Sequence, residues 1–515
     1  MKQYIFSATF FLSCILLLSG CNDFLDQEPS KSAGITISQV DELEALLNKN
    51  NFGSGMLDYN YASILSSDAF DLNTEYYDKG FSKMSTTPEI YQIICWQMGM
   101  TQNTNEKVSM WKANFSSIYL ANLVLENIDN VEGAKEKIDE VGYKAHLLRA
   151  YNYLELASYY CMPYGQNTLN EPGLPIKKKT SYDEDMHRVS LKDTYDFIEK
   201  DILEAVKLTA PLFEEDVRKS WKETGATANA LAARFYLLKG DYEKAKTYAQ
   251  KALEFGNDIL DFNDPNEIAS ANILSFADNS MIRMSTWWKP TNYKPTFRSE
   301  KDRAFYSKDN YYLSVNLWGI PSQKLLNAYN QQYDMRYRFF IVPNFQKVFF
   351  MGMFANKFTM DVPGYGVYDG VYTTGPNVAE MRLIYAECLA RTGNVTEAMA
   401  QLNDFRKYRI DKTAPSNIIN LTATDKQEAV SLILKEKMME FPFSKRWNDV
   451  RRCNFNDDPT DDITIVRRFY DVQANSVNKD AIKTYELTPT SRNYPIAIPN
   501  AEIIIGKGAI EQNKY

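Results

Sequence analysis

The chain has 515 residues, 44% of them hydrophobic, which is enough to bury a large core in one or two domains. Its formal net charge is −8 with acidic and basic residues interspersed, so we expect no nucleic-acid partner. The two histidines, His146 and His187, are too few for a histidine-based catalytic triad, a zinc-protease helix or a multi-histidine metal centre.

Cysteine and aromatic residues narrow the function classes further. Cys95, Cys161, Cys388 and Cys453 lie far apart with no C-x-x-C motif, so the sequence predicts neither a disulfide scaffold nor a zinc site. Aromatic residues make up 13% of the chain, including 34 tyrosines. A large helical core accounts for most of them, and a carbohydrate-binding surface could account for several.

The first 20 residues have the layout of a secretion signal. Lys2 precedes an apolar run that closes on Leu18-Ser19-Gly20-Cys21, and the run is too short to read as a membrane-spanning helix. The tetrapeptide resembles a bacterial lipobox, which predicts lipidation of Cys21 and a polar tether over residues 21–37. Asp23, Asp26 and Glu28 resemble the export signal of some surface lipoproteins.

Helical periodicity begins after this tether. Ser38 precedes Val40, Leu43 and Leu47 as an N-cap, and further amphipathic helices are predicted near residues 111–129, 139–160 and 190–208. Residues 50–105 show no sustained period but are rich in aromatic side chains. The sequence therefore predicts a long irregular loop there, and long loops of this kind are often functional.

Two helical hairpins stand out. Residues 227–256 place a Gly240-Asp241 turn between two helices rich in small residues, and residues 376–409 repeat the design around Gly393-Asn394. This pattern resembles a tetratricopeptide hairpin. The aromatic stretch 257–375 separates the two hairpins, and helix returns near residues 425–440 and 443–452.

We therefore expect a mostly α fold whose helical hairpins are interrupted by an irregular, aromatic-rich insertion. The predicted parts are a signal at 1–20, a tether at 21–37, an N-terminal helical part at 38–256 with the loop 50–105, the insertion as ligand lobe at 257–375, and a C-terminal helical part at 376–515.

Four stretches, in this order, resemble the SusD/RagB family of outer-membrane nutrient-binding lipoproteins. They are Cys21 to Asp26 with Pro29; Trp111 to Asn122 with Leu148 to Tyr151 and Gly173 to Pro175; Arg382 to Arg409; and Glu436 to Arg452 with Tyr494 to Ile496 and the last four residues, from Gln512. The family usually has Glu-Arg where this chain has Glu436-Lys437, a difference expected to affect a structural ion pair.

The resemblance implies a mostly helical SusD-like fold and a protein without catalytic residues. It also implies the partners: an oligosaccharide ligand, the outer membrane through a lipid anchor facing the cell exterior, and a SusC-like TonB-dependent transporter that receives the ligand. A peptide cargo, as in RagB-like uptake, is the alternative within the family. The alternatives outside the family are a glycosidase and a protein-binding scaffold or adhesin. A glycosidase needs two facing carboxylates, and in a chain with 66 acidic residues the presence of two carboxylates is not evidence for one.

Aromatic side chains beside amides or charges are the candidate ligand-binding residues, because a flat ring covers the C–H face of a sugar while polar groups bind its hydroxyls. In the insertion and in the earlier loop, the candidates are Trp287, Trp288, Trp318, Tyr311, Tyr312, Arg283, Asn316, Trp96, Tyr76 and Tyr77.

Other polar clusters favour structural roles. Trp447 with Asp449, Arg451 and Arg452 is predicted to lock the C-terminal segment to the hairpins. Arg406 and Arg409 are predicted to form a solvated or ion-paired face. The acidic stretch 258–267 could supply oxygens to calcium, but it lacks the glycine and the spacing of an EF-hand loop, which favours a solvated loop. We therefore expect no cofactor and no resident metal.

Overall fold

A computed structural model of the protein describes residues 37–48, 65–79, 88–103, 110–181, 183–264, 303–306, 310–312, 319–342, 362–365, 371–373, 375–442 and 445–515. The described residues are mostly helical, as the sequence predicts. Among them, no helix combines the length and the apolarity that crossing a lipid bilayer requires.

The α-helices of the described residues are numbered in chain order. They are α1 Val40–Asn48, α2 Thr74–Lys79, α3 Pro88–Ile94, α4 Met110–Asn127, α5 Lys135–Tyr160, α6 Leu191–Ala205, α7 Gly225–Lys239, α8 Tyr242–Glu254, α9 Gln323–Ala328, α10 Met335–Phe340, α11 Val378–Arg391, α12 Val395–Arg406, α13 Ser416–Ile419, α14 Lys426–Glu440, α15 Arg446–Cys453 and α16 Asn500–Ile505.

The described strands form two-stranded antiparallel ladders: β1 (Phe70–Asp71) with β7 (Ile320–Pro321), β2 (Pro172–Pro175) with β3 (Arg188–Ser190), β4 (Phe213–Glu214) with β5 (Val217–Arg218), β6 (Asn310–Tyr312) with β10 (Val371–Thr373), β8 (Ile341–Val342) with β9 (Gly364–Tyr365), and β11 (Ile465–Val472) with β12 (Val477–Leu487).

Both predicted helical hairpins are present, and their ends follow local capping chemistry. The turn between α7 and α8 uses Gly240 at φ +78°, and Asp241 then caps α8 by accepting a hydrogen bond from the Lys244 N–H. The turn between α11 and α12 uses Gly393 at φ +91°, with Asn394 as the cap. Left-handed backbone favours glycine, so each turn is encoded locally.

The two hairpins pack against each other although the insertion separates them in sequence. Helix α8 buries a face of small residues, Ala245, Ala249 and Ala252, and it packs against α11. Alanines allow two helix backbones to approach closely. Helices α4, α5 and α6 pack one against the next, and α6 contacts α7 of the first hairpin. Helix α14 packs against α11 and α12 of the second hairpin.

Two features of the fold differ from the sequence predictions. The expected loop 50–105 contains the short helices α2 and α3. The hairpin β11–β12 was not predicted; its first strand alternates buried Ile465, Arg467 and Phe469 with exposed Val466 and Arg468. This period of two is the pattern of a strand with one buried face, so the sequence carried a signal for it.

A buried ionic cluster joins α11, α14 and α15. The Glu387 carboxylate lies at its centre and accepts hydrogen bonds from Arg452 at 2.7 Å, from Arg391 at 2.7 Å and from Lys437 at 2.9 Å. Lys437 and Arg452 also bind Asp449, at 2.8 and 2.7 Å. The Lys437 position, where the family usually has arginine, is thus part of a structural ion pair, as expected.

The C-terminal arginines have the structural roles that the sequence predicts. Arg451 donates to the backbone oxygens of Cys161 (2.7 Å) and Tyr494 (3.1 Å), which ties the end of the chain to α5. Arg406 and Arg409 bind the carboxylates of Glu436 and Glu440. The prediction of an ion-paired rather than ligand-facing surface is confirmed for these residues.

We predict that Glu387→Gln lowers the free energy of unfolding by about 3–5 kcal/mol, because it leaves buried cations without their counter-charge. The exposed Asp139, which pairs with Lys135, provides the control: Asp139→Asn should change stability by about 0.5 kcal/mol or less. Urea denaturation at neutral pH measures both. A loss below about 1 kcal/mol for Glu387→Gln would contradict the central role of this carboxylate.

The same cluster predicts how the free energy of unfolding decreases at acidic pH. The neighbouring cations hold the pKa of Glu387 well below its ordinary value of 4.5, although burial alone would raise it. A carboxyl with a depressed native pKa contributes stability that is complete above its unfolded pKa and is lost as the pH falls towards its native pKa. Wild type should therefore lose stability below about pH 4.5, and Glu387→Gln should show a shallower loss.

Candidate functional site

Five of the ten predicted ligand-binding residues lie outside the residues that the structure describes. These are Trp287, Trp288, Trp318, Arg283 and Asn316, together with the predicted lipidation site Cys21. Tyr311 and Tyr312 lie on β6, which pairs with β10 at the register Tyr312↔Val371. We call the described residues 65–79, 319–321 and 362–365, in which the two aromatic-rich stretches contact each other, the base of this region.

Trp96 is a core residue in the structure. It is 1% exposed, its indole Nε1 donates to the Ser66 oxygen at 3.0 Å, and the Arg467 guanidinium lies 4.4 Å from its ring centroid. Its backbone adopts φ +53°. This placement differs from our expectation that Trp96 approaches a ligand, because its hydrogen-bonding group and one ring face are already engaged.

The two tyrosines of the earlier loop also lie in packed surroundings. Tyr76 is 3% exposed and packs against Val362. Tyr77 is half-buried, with its ring edge-on to Tyr91 at 5.0 Å and to Phe469 at 5.4 Å, and burial raises the pKa of its hydroxyl. In this structure Tyr76 offers no exposed ring face, whereas part of Tyr77 remains accessible.

Strand pairing joins the earlier loop to the insertion. Phe70 pairs with Pro321 through β1 and β7, and the Tyr365 hydroxyl of β9 donates to the Ala69 oxygen at 2.6 Å. The rings of Phe70 and Tyr365 lie 4.6 Å apart. Residues of the two aromatic-rich stretches that lie as far as 296 positions apart in the sequence thus meet at one place in the fold.

Arg467 holds the base of this region from the C-terminal hairpin. Its guanidinium donates to the backbone oxygens of Ile94, Ser67 (2.6 Å) and Phe70 (2.9 Å). Burial lowers its pKa to about 10, so it remains charged at neutral pH. One cation therefore satisfies the carbonyl group at the end of α3 and two carbonyl groups of residues 67–70, which ties these two segments together.

A second buried pair adds to this base. The Arg446 guanidinium binds the Asp68 carboxylate through two contacts of 2.6 and 2.7 Å, and Lys324 of α9 adds a third at 2.7 Å. These cations hold the pKa of Asp68 well below its ordinary value. The pair connects the earlier loop, the insertion and α15, and sequence reasoning missed it because its members lie hundreds of residues apart.

Within the acidic stretch 258–267, Asp258 is engaged in ion pairs. Asp258 accepts from Arg218 at 2.6 Å and from Arg303 at 2.9 Å, and the remaining residues from 265 onwards lie outside the described part. Among the described residues, no group of three or more histidine, cysteine or acidic side chains is arranged to hold a metal ion. The four described cysteines are buried and unpaired.

Comparison with known families matches two parts of the chain. Residues 23–237 match a family described as "Starch-binding associating with outer membrane", named SusD-like_3, and residues 347–515 match SusD_RagB, described as the SusD family. No curated protein matches the chain.

Solved structures share the fold at low sequence identity. A SusD-like carbohydrate binding protein from Bacteroides vulgatus is 18% identical with a TM-score of 0.58, over 92% of this chain and 97% of that one. Surface glycan-binding protein A from Bacteroides uniformis is 15% identical with a TM-score of 0.60, over 92% and 98%. A SusD superfamily protein from Bacteroides vulgatus is 16% identical with a TM-score of 0.62, over 93% and 99%.

We predict that Arg467→Lys lowers the free energy of unfolding by about 2–3 kcal/mol, because a single ammonium group cannot reach three divergent carbonyl oxygens. Arg468 is the matched control, since it is the next residue of the same strand and is exposed. Arg468→Lys should change stability by less than about 0.5 kcal/mol. Equal effects of the two substitutions in guanidinium denaturation would refute the role assigned to Arg467.

Proposed function

Because this chain belongs to the SusD/RagB family, we propose that it is a cell-surface lipoprotein that captures an oligosaccharide and passes it to a SusC-like TonB-dependent transporter in the outer membrane. The family matches carry the proposal: together they span most of the chain, and one of them is described as starch-binding and associated with the outer membrane. The names of two structural relatives, a carbohydrate binding protein and a surface glycan-binding protein, support the same function.

We infer a binding function rather than catalysis. The family consists of binding proteins, and both histidines of this chain are engaged: His146 Nδ1 lies 2.7 Å from Asp201, and the exposed His187 lies 2.5 Å from Asp185. Asp201 also binds Arg149 at 2.8 Å, which fits a structural role for His146.

The proposed ligand surface is the aromatic lobe. Its candidates are Trp287, Trp288 and Trp318, with Arg283, Asn316, Tyr311, Tyr312 and the half-buried Tyr77 as further contacts. Rings stack on the apolar face of a sugar, whereas the amides and guanidinium groups bind hydroxyls. Affinity at one site should be weak, since each sugar hydroxyl exchanges a bond to water for a bond to protein at little net gain.

The proposed anchor is a set of acyl chains on Cys21. One acyl chain holds a protein at a bilayer only marginally, whereas two or three give stable residence. Residues 22–37 would then separate the helical body from the membrane, and the body would dock on the transporter. The described residues begin at Ile37, close to the first helix.

We predict that alanine at Trp287, Trp288 and Trp318 together lowers the affinity for a bound oligosaccharide at least tenfold, because three stacking surfaces are lost. Isothermal titration with malto-, xylo-, manno- and galacturono-oligosaccharides measures the effect, and circular dichroism checks that the helices remain.

Trp96→Phe is the control for this experiment. It removes the indole N–H that donates to Ser66 inside the core, so stability should fall by about 1–2 kcal/mol while glycan affinity stays unchanged. Unchanged titration curves for the triple variant would remove the lobe tryptophans as ligand contacts. Titrations that are silent with every glycan, while a peptide library binds, would overturn the proposed ligand class.

We predict that Cys21→Ser abolishes metabolic labelling with palmitate and releases the protein from the membrane fraction. Cys14→Ser, within the predicted signal, is the matched control and should leave both labelling and membrane association intact. Labelling that persists in Cys21→Ser, or a wild-type protein recovered free of the membrane, would contradict the proposed anchor.

A further inference from the structure

A cleft of about 680 Å³ lies in the helical body, among elements of the first helical hairpin, the second hairpin and the loop after α15. Its walls are the turn at residues 164–166, the α7–α8 turn at residues 237–242, the end of α11, and residues 455–458. Clefts of 300–1,000 Å³ are typical of small-molecule sites. It is built from other residues than the candidate lobe.

The walls of the cleft are held by the fold itself. Gly165 lies so close to the Phe455 oxygen that a Cβ atom there would be 2.1 Å from it, so the two walls touch at this point. Phe455 packs edge-on against Tyr494 at 5.0 Å, and the Thr168 hydroxyl donates to the Pro163 oxygen at 2.6 Å. The cleft is therefore preformed, and a ligand would not have to order its walls.

The rim carries polar groups that are free to bind a ligand. Gln166 and Asp457 are exposed, and neither side chain has a hydrogen-bond or ion-pair partner among the described residues. Lys426 is also exposed and interacts electrostatically with Asp458. Burial raises the pKa of the Tyr242 hydroxyl to about 12, so this group stays protonated and can both donate and accept. The cleft therefore offers both donors and acceptors to a ligand.

The apolar part of the lining consists of aromatic surface. Tyr164 and Phe455 are half-buried, and the Tyr242 ring lies 5.0 Å from the Arg391 guanidinium. Flat rings combined with amide, carboxylate, ammonium and hydroxyl groups suit a ligand that has C–H faces and hydroxyl edges. That description fits a sugar ring better than an aliphatic or fully charged ligand.

The charges of the cleft argue against an anionic ligand. Arg391 and Arg452 line it, but their guanidinium groups are already bound to Glu387, Asp449 and Asp461. Asp458 is likewise engaged, by the Thr460 hydroxyl and by Arg391, so Asp457 and Lys426 are left as rim charges of opposite sign. Helices α7, α11 and α15 end at this cleft and helices α8 and α14 begin there, so their opposite terminal partial charges largely offset each other. No excess positive charge is therefore left to attract an acidic sugar.

We propose that this cleft is a second saccharide site, which binds one or two residues of a neutral glycan. The inference rests on the proposed glycan-binding function and adds a separate place for it on the rigid helical body. Two weak sites on one molecule raise the affinity for a long chain that reaches both, without any new contact. The protein would then prefer neutral polysaccharides to short fragments of them.

The test is titration of the full-length protein with neutral malto-, xylo- and manno-oligosaccharides and with galacturono-oligosaccharides. Wild type should bind a neutral oligosaccharide at two sites. The double variant Gln166→Ala/Asp457→Ala should lose one site, with at least a tenfold loss of the affinity at that site. Both side chains are exposed and unpaired, so their removal should leave the fold intact. Asp480→Ala, an exposed carboxylate on β12, is the matched control and should keep both sites.

The outcomes separate the two proposals. The triple tryptophan variant should lose the lobe site and keep the cleft site. If wild type shows one binding site, or if Gln166→Ala/Asp457→Ala shows two unchanged sites, the cleft proposal is wrong. The lobe proposal would then still stand. Equal binding of galacturono-oligosaccharides in the cleft would overturn its neutral preference. No heat with any of these sugars would overturn both the cleft and the glycan-binding function.

Discussion

The structure depends on one buried carboxylate, that of Glu387. It is completely buried on α11, and Arg452 of α15, Lys437 of α14 and Arg391 of its own helix all donate to it. Buried charges are tolerated when each is paired with an opposite charge, and removing one partner lowers the stability of the fold strongly. The need to pair these charges therefore favours the packing of α11, α14 and α15 that brings the three cations to one carboxylate.

A second buried network extends the same principle to the insertion. Arg336 of α10 is fully buried and binds Asp334, Glu436 and Glu440, while Arg409 binds Glu440 from the segment after α12. The insertion is thus joined to the helical body by charges that are satisfied only when the two are correctly aligned. Such networks select one arrangement of helices more than they add to net stability.

Under the proposed function, the helical body and the lobe have different roles. The body is a scaffold of packed hairpins, and loops carried by such a scaffold are the usual place for recognition. Arg467 and the Asp68–Arg446 pair hold the described base together. The preformed cleft of the body lies among its own helix ends, which is why a second site can exist there without depending on the lobe.

The sequence by itself determined the long helices and the turns of the two hairpins, and it carries the resemblance to the family. Periodic apolar residues and the glycines at positions 240 and 393 act within one or two turns of the chain, and the structure has both glycines at the predicted turns. Only the tertiary structure decided that Trp96 is a core residue, that Arg467 satisfies three distant carbonyls, and that residues near 70 pair with residues near 320. A ring beside polar residues looks the same in sequence whether it faces solvent or core, because the partner that covers it comes from another part of the chain. Burial and charge pairing are long-range properties, and they follow from packing rather than from local pattern.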